Sequence, residues 1–490
     1  MDGRPDAKSN GTAFIRAFGL WDVVAMNIVA VVGLRWIARG ARTGPPSITL
    51  WVLAWLMFFV PLAAAVAELS NRYPDQGGLY AWTRRAFGPT HGFICGWCLW
   101  VNNLFYFPSL LLFAAANALL VFGGRFAWLA ESRAYSVGFV MVALWLCIGL
   151  NVLGLNAGKW LQNLGTIATW VPALLLVGAG AVAFASFGSA TSFTAANLVP
   201  RDDFWTTVSL WSAMCFAFSG FEIASFAGQE VRNPTRTIPL GVAIAGVLTT
   251  LIYIGGSAAV LVAVPRDALV ERSGIADAVA LVSGRIGLTG LGALTGALLA
   301  IGSLAGTNSW VAGAARVPFA AGVDRVLPSA FARLHPRYRT PYAALWIQGA
   351  VASIIFLTSV FLSLSGGRTT IQEAYDILVN LTILIYFVPY LYLFLSLVRL
   401  RARSRMEPVF PSGGRPAPIC IPGGRLGLGL VAGAGFLATA ISLGLVFIPP
   451  AGTTNVLNYE GNLAGQAAAV LALGGGLYWD SRRRAARIGP

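Results

Sequence analysis

Apolar runs long enough to cross a bilayer recur from one end of this chain to the other, and nothing constrains its fold more. A hydrocarbon core about 30 Å thick takes roughly 20 consecutive apolar residues as helix. Twelve such runs can be read, at about 14–38, 48–69, 92–122, 135–154, 160–187, 205–231, 238–264, 288–316, 343–365, 371–398, 427–449 and 463–480. Barrel strands need only about 10 residues and alternate in polarity, so run length selects helices. Composition agrees, with 57% hydrophobic and 11% charged residues, where a soluble chain carries about 25% charged. The expected fold class is all-α integral membrane, with about 12 transmembrane helices and no soluble domain. The opening stretch, MDGRPDAKSNG, is polar and lacks the layout of a cleaved signal peptide.

A net charge of +15 would suit a nucleic-acid partner, but its distribution argues for lipid. With the N-terminus inside, most of the 34 Lys and Arg fall on the inner side, including Arg72, Arg84, Arg85, Arg232, Arg236 and both basic stretches after 398. Cytoplasmic loops carry this excess. Both termini are expected in the cytoplasm, the chain in the inner or plasma membrane, and the charge against anionic headgroups. No nucleic-acid partner is expected. Cys147 and Cys215 sit in apolar runs as small hydrophobes, and the Cys95-Gly-Trp-Cys98 pair lies on a membrane helix. With His91 and His335 the only histidines, no metal site or cofactor is expected. No nucleophile–base pair points to an enzyme.

The stretch FSGFEIASFAGQEVRNPTRTIP (218–239) puts Gly220 and Glu222 inside an apolar run. A carboxylate at membrane depth costs several kcal/mol and faces a cavity or a partner. Unwound backbone at that depth is tolerated only where it lines protein or water. Transporters built from inverted repeats combine the two, breaking one helix in each half near the midplane. The matching segment is WDVVAMNIVAVVGLRWIARG (21–40), which carries Asn27, Gly33 and Arg35. Its direction is opposite if five spans begin inside and five outside. Small residues that merely let helices pack closely are the alternative reading. Glu222 likewise reads either as a proton carrier or as a fixed hydrogen-bonded staple.

These residues resemble the amino acid–polyamine–organocation superfamily. FSGFE followed by QEVRNPTRTIP is similar to its sixth membrane helix and the loop after it. AELSNRYPDQGGLYAWTRRAFG (67–88) resembles the end of helix 2, a cytoplasmic helix and the lead into helix 3. GSLAGTNSWVAGAARVPFAAGVDRVLP (302–328) resembles helix 8 and its continuation. The resemblance covers about 14–400. It implies a five-plus-five inverted repeat with broken helices 1 and 6 plus two C-terminal helices. The implied division is 1–13 cytoplasmic tail, 14–187 first repeat, 205–398 second repeat, 399–426 basic cytoplasmic loop, 427–480 the last two helices and 481–490 cytoplasmic tail. It implies secondary transport of an amino acid or related amine by alternating access, by proton symport or exchange.

By the same resemblance the substrate lies between Ile28–Gly33 and Phe216–Phe221. The binding residues implied are Ile28, Val29, Ala30, Gly33, Asn103, Phe216, Ser219, Gly220, Phe221 and Thr307, with Asn102, Tyr106 and Ser303 nearby. Glu222 matches an acid implicated in proton-sensitive gating. The chain departs from the family at helix 1, where Ala30-Val31-Val32 replaces a Gly-Ser-Gly break whose bare amides hold a carboxylate. Either the break shifts to Gly33, or the substrate lacks the carboxylate. Arg35 could attract a carboxylate or snorkel to outer headgroups, and Arg39 and Arg42 would make the outer vestibule electropositive, against polyamines. Thr169 stands where some proton-coupled relatives have a lysine, which leaves H+, Na+ near Ser303 or Thr307, and ion-free exchange open. A polyamine or amino-acid/amine antiporter is the alternative. A non-transporting amino-acid sensor is the alternative of another class.

Overall fold

The computed structural model describes residues 19–73, 78–122, 125–200, 204–222, 231–265, 274–316, 318, 327, 329–338, 340–361, 370–404, 420–449 and 455–488. The chain is helical throughout, with no strand among the described residues. In order the helices are α1 (Leu20–Val31), α2 (Arg35–Ala41), α3 (Pro46–Arg72), α4 (Gly78–Phe87), α5 (Pro89–Leu119), α6 (Arg133–Leu153), α7 (Leu155–Phe187) and α8 (Phe204–Ser209). There follow α9 (Trp211–Ala217), α10 (Pro234–Ala263), α11 (Gly274–Arg285), α12 (Leu291–Ala314), α13 (Tyr342–Phe361), α14 (Ile371–Ser404), α15 (Gly424–Leu445) and α16 (Val456–Ile488).

Nine stretches among the described residues are long and apolar enough to span a membrane. The protein is a multi-pass, all-α membrane protein, as run length required. Three expected spans differ instructively. The run at 14–38 is split into α1 and α2. The run at 205–231 is split into α8 and α9, with residues 223–230 outside the described residues. The last, 463–480, lies within α16, whose helix continues through Ile488.

α5 is apolar along most of its length, and most of it is buried. A helix hydrophobic all round belongs at the centre, and α5 packs there against α12 and α14. α1 packs on α10, and α10 on α7. α4 is amphipathic instead, burying Leu79, Trp82, Thr83 and Ala86 at helical spacing. Within α3 the turn Trp55–Phe59 widens to a π-helix just before Pro61. A proline cannot donate its backbone bond, and its ring crowds the preceding turn, so a π-bulge there is the local solution. The bulge carries Phe58 and Phe59, which meet Tyr390 and Phe221 at ring separations of 5.5 and 4.9 Å. At Asn233 the residue before Pro234 is pushed out of the right-handed helical region, here to φ 48°, and α10 starts at the proline.

Candidate functional site

The two interruptions face each other. α1 ends at Val31, Val32 is extended (φ −67°, ψ 94°), and α2 begins at Arg35. Valine adopts extended backbone readily, so this break needs no glycine geometry, and Gly33 is not among the residues with positive φ. Gly33 is there for space: a Cβ would lie 2.6 Å from the Trp36 ring. In the second interruption α9 ends at Ala217 and Gly220 takes φ +100°, a conformation that side chains oppose.

One hydroxyl joins the breaks. Tyr253 Oη on α10 lies 3.0 Å from Val31 O and 3.1 Å from Ala217 O, and it accepts the Gly33 N–H at 3.2 Å. Helix ends leave carbonyls and amides unpaired, and this fully buried tyrosine meets orphans from both. Its ring stacks on Trp51 at 4.6 Å.

Glu222 is fully buried. Tyr386 donates to Oε1 at 2.7 Å and Tyr390 to Oε2 at 2.7 Å, both from α14. The Gly220 N–H donates to Tyr390 Oη at 2.9 Å and to Oε2 at 3.1 Å. The carboxylate therefore ties the second interruption to α14. A carboxylate accepting from two phenols can release one of them by taking a proton, since a protonated oxygen becomes a donor.

Between the breaks lies a small, half-open cavity. Asn103, Phe216, Ser219 and Gly220, all expected from the sequence, line it. Ile28 is buried but not at the cavity wall. Gly33 faces Tyr253, and Phe221 packs on Phe59. Thr307 returns its hydroxyl to Ser303 O at 2.9 Å, and Ser303 bonds Leu299 O, within α12. The side chains of Val29 and Ala30 lie outside the described residues. The wall also holds Val31, Asn102 and Tyr106, and it holds Trp36, Trp310 and Tyr386, which sequence reasoning passed over. Phe216 meets Trp36 edge-on at 5.2 Å and Tyr386 at 5.5 Å.

The arginines of α2 do not behave as a vestibule. Arg35 and Arg39 are 1% and 2% exposed, so Arg35 does not snorkel. Arg39 forms an ion pair with Asp376 at 3.0 Å and bonds Asn380 Oδ1 at 3.1 Å. At the far end of α14, Arg401 pairs with Glu68 at 3.0 Å and bonds Ile421 O, while Ile421 N–H donates to Glu68. Buried ion pairs therefore hold α14 to α2 at one end and to α3 at the other. Thr169 bonds Gly165 O within α7. Cys95 and Cys98 are buried free thiols in the core.

Two interrupted helices facing a small cavity inside an all-helical membrane protein define a transporter of the broken-helix class. Residues 18–469 match the amino acid permease family, and the chain belongs to it. The chain is 29% identical to an uncharacterized transporter of Legionella pneumophila over 89% of this chain and 90% of that protein. It is 24% identical to a probable agmatine/putrescine antiporter of Lactococcus lactis over 80% and 81% of the two chains. It is 26% identical to a serine/threonine exchanger of Bacillus subtilis over 74% and 78%.

Proposed function

We propose that this permease carries an amino acid across the cell membrane by alternating access, by proton symport or exchange, with the substrate held between the two helix interruptions. The observation that carries the reading is the cavity between the breaks, with Tyr253 bridging their free ends. Asn103, Phe216, Ser219 and Gly220 bind from the wall. Glu222 serves as the coupling group: protonation makes it a donor, frees Tyr386 or Tyr390, and loosens α14 from the second break. The pairs Arg39–Asp376 and Glu68–Arg401, both formed here, hold opposite ends of the pathway shut, and each opens in its turn. An inverted repeat of 14–187 and 205–398, with both termini in the cytoplasm, would run the two broken helices in opposite directions. The protein catalyses no covalent reaction, and under symport its coupling ion is H+, with Na+ the alternative, while exchange needs neither.

Uptake and counterflow in proteoliposomes test the reading. An amino acid should accumulate in wild type and fail to do so in Gly220→Leu, whose side chain fills the break. A second reading, an amine antiporter, has the Lactococcus relative in its favour. It takes over if agmatine or putrescine exchanges and no amino acid does.

A further inference from the structure

At the first interruption two of the amides that could cradle a substrate carboxylate are already engaged. Val32 N–H bonds Ile28 O at 2.8 Å, and Gly33 N–H bonds Tyr253 Oη. Across the cavity Ser219 N–H bonds Phe216 O at 2.8 Å, and Gly220 N–H is taken by Tyr390 and Glu222. Helix-end amides are the usual anion site, and with these four taken a carboxylate here gains most from a charged partner.

Arg35 has the chemistry. It is 1% exposed and lies one ring behind the cavity wall. Its guanidinium carbon is 4.3 Å from the Trp36 ring centre and 4.7 Å from that of Tyr106, and both rings line the cavity. Nη1 donates to Ser109 Oγ at 3.0 Å. Nε and Nη2 are buried and have no hydrogen-bond partner among the described residues. Those two nitrogens form the side-on fork of the guanidinium, the edge that takes a carboxylate with two parallel bonds. A buried cation with that edge unmet is costly, and no acid among the described residues pairs with it. Arg39, by contrast, is held by Asp376 and Asn380. On the same cavity wall, Asn102 and Asn103 each spend an amide N–H on Leu99 O. Their side-chain oxygens remain as acceptors that suit an ammonium group.

We propose that Arg35 is the specificity residue for the substrate's carboxylate, bound through Nε and Nη2 when Trp36 or Tyr106 turns aside, with Asn102 and Asn103 taking the ammonium end. The transported species is then a zwitterionic or anionic amino acid, and a dicationic amine is rejected by the fixed buried charge. The inference rests on the amino acid reading above and names what recognises the acid.

Binding to detergent-purified protein, by thermal shift and calorimetry, tests it. The probes are the proteinogenic amino acids, their decarboxylated amines, agmatine and putrescine. Wild type should bind at least one amino acid and bind its amine at least about tenfold more weakly, the factor that a charge-assisted hydrogen bond carries. Arg35→Gln should lose that preference, so that acid and amine bind alike. Arg35→Lys keeps the charge but not the fork, and covers the case in which Arg35→Gln does not fold; its acid-to-amine ratio should fall several-fold. An unchanged ratio in Arg35→Lys, or wild-type amino acid affinity in Arg35→Gln, overturns the Arg35 assignment and leaves amino acid transport standing. Binding of agmatine or putrescine and of no amino acid by wild type overturns both.

Discussion

Removing the Tyr253 hydroxyl should uncouple the two helix breaks without disturbing the packing around them. Tyr253→Phe keeps the ring that stacks on Trp51 at 4.6 Å and meets Phe218 at 5.5 Å. Only the oxygen leaves. It now accepts from Gly33 N–H and has one proton to share between Val31 O and Ala217 O, so two bonds are lost at any moment. Each is worth about 1 kcal/mol net, and a buried partner left unmet costs about 1–3 kcal/mol. The expected loss of stability is about 2–4 kcal/mol, measured by denaturant unfolding in mixed micelles. Uptake should fall as well, because both breaks line the cavity. Stability within about 0.5 kcal/mol of wild type, the range of a neutral surface change, together with normal uptake, would refute the claim that this hydroxyl organises the site.

Three further outcomes are expected. Gly220→Ala has room, its Cβ reaching 3.4 Å from Val31, so its cost is the backbone strain of φ +100°, about 1–2 kcal/mol, read as a lower melting point with weakened substrate binding. Glu222→Gln should leave the protein folded and flatten the pH dependence of uptake; a wild-type pH profile removes Glu222 from coupling. Asp376→Asn strips the buried Arg39 of its counter-charge and should destabilise by about 3–5 kcal/mol, with a matching loss of closure measured by accessibility from the side where α2 ends; an unaffected melting point would show that the pair contributes little.

Run length made the helical membrane fold legible, since apolar stretches near 20 residues have few other solutions. Gly220 and Glu222 located the second break because both are expensive inside lipid. The first break was legible only in place: Val32 adopts extended backbone, so the Ala30-Val31-Val32 run that stands where the family has glycines is compatible with it. Trp36, Trp310 and Tyr386 were not read as wall residues, because an aromatic on an apolar helix looks the same whether it faces lipid, core or cavity. A signal did exist in α14, where Asp376 and Asn380, then Tyr386 and Tyr390, stand four apart in the mainly apolar part of the helix. Arg35 looked free to reach headgroups because its distance from Gly33 is short in sequence; only the packing of α2 against α5 and α10 shows it to be enclosed.

The most direct test places a thiol in the cavity. Ser219 lines it, and Cys420 is exposed elsewhere while Cys95, Cys98, Cys147 and Cys215 are buried. In Ser219→Cys protein, saturating concentrations of the transported amino acid should slow methanethiosulfonate labelling at position 219 and leave Cys420 labelling unchanged. Equal labelling at position 219 with and without a substrate that the same protein demonstrably transports would contradict binding between the two interrupted helices.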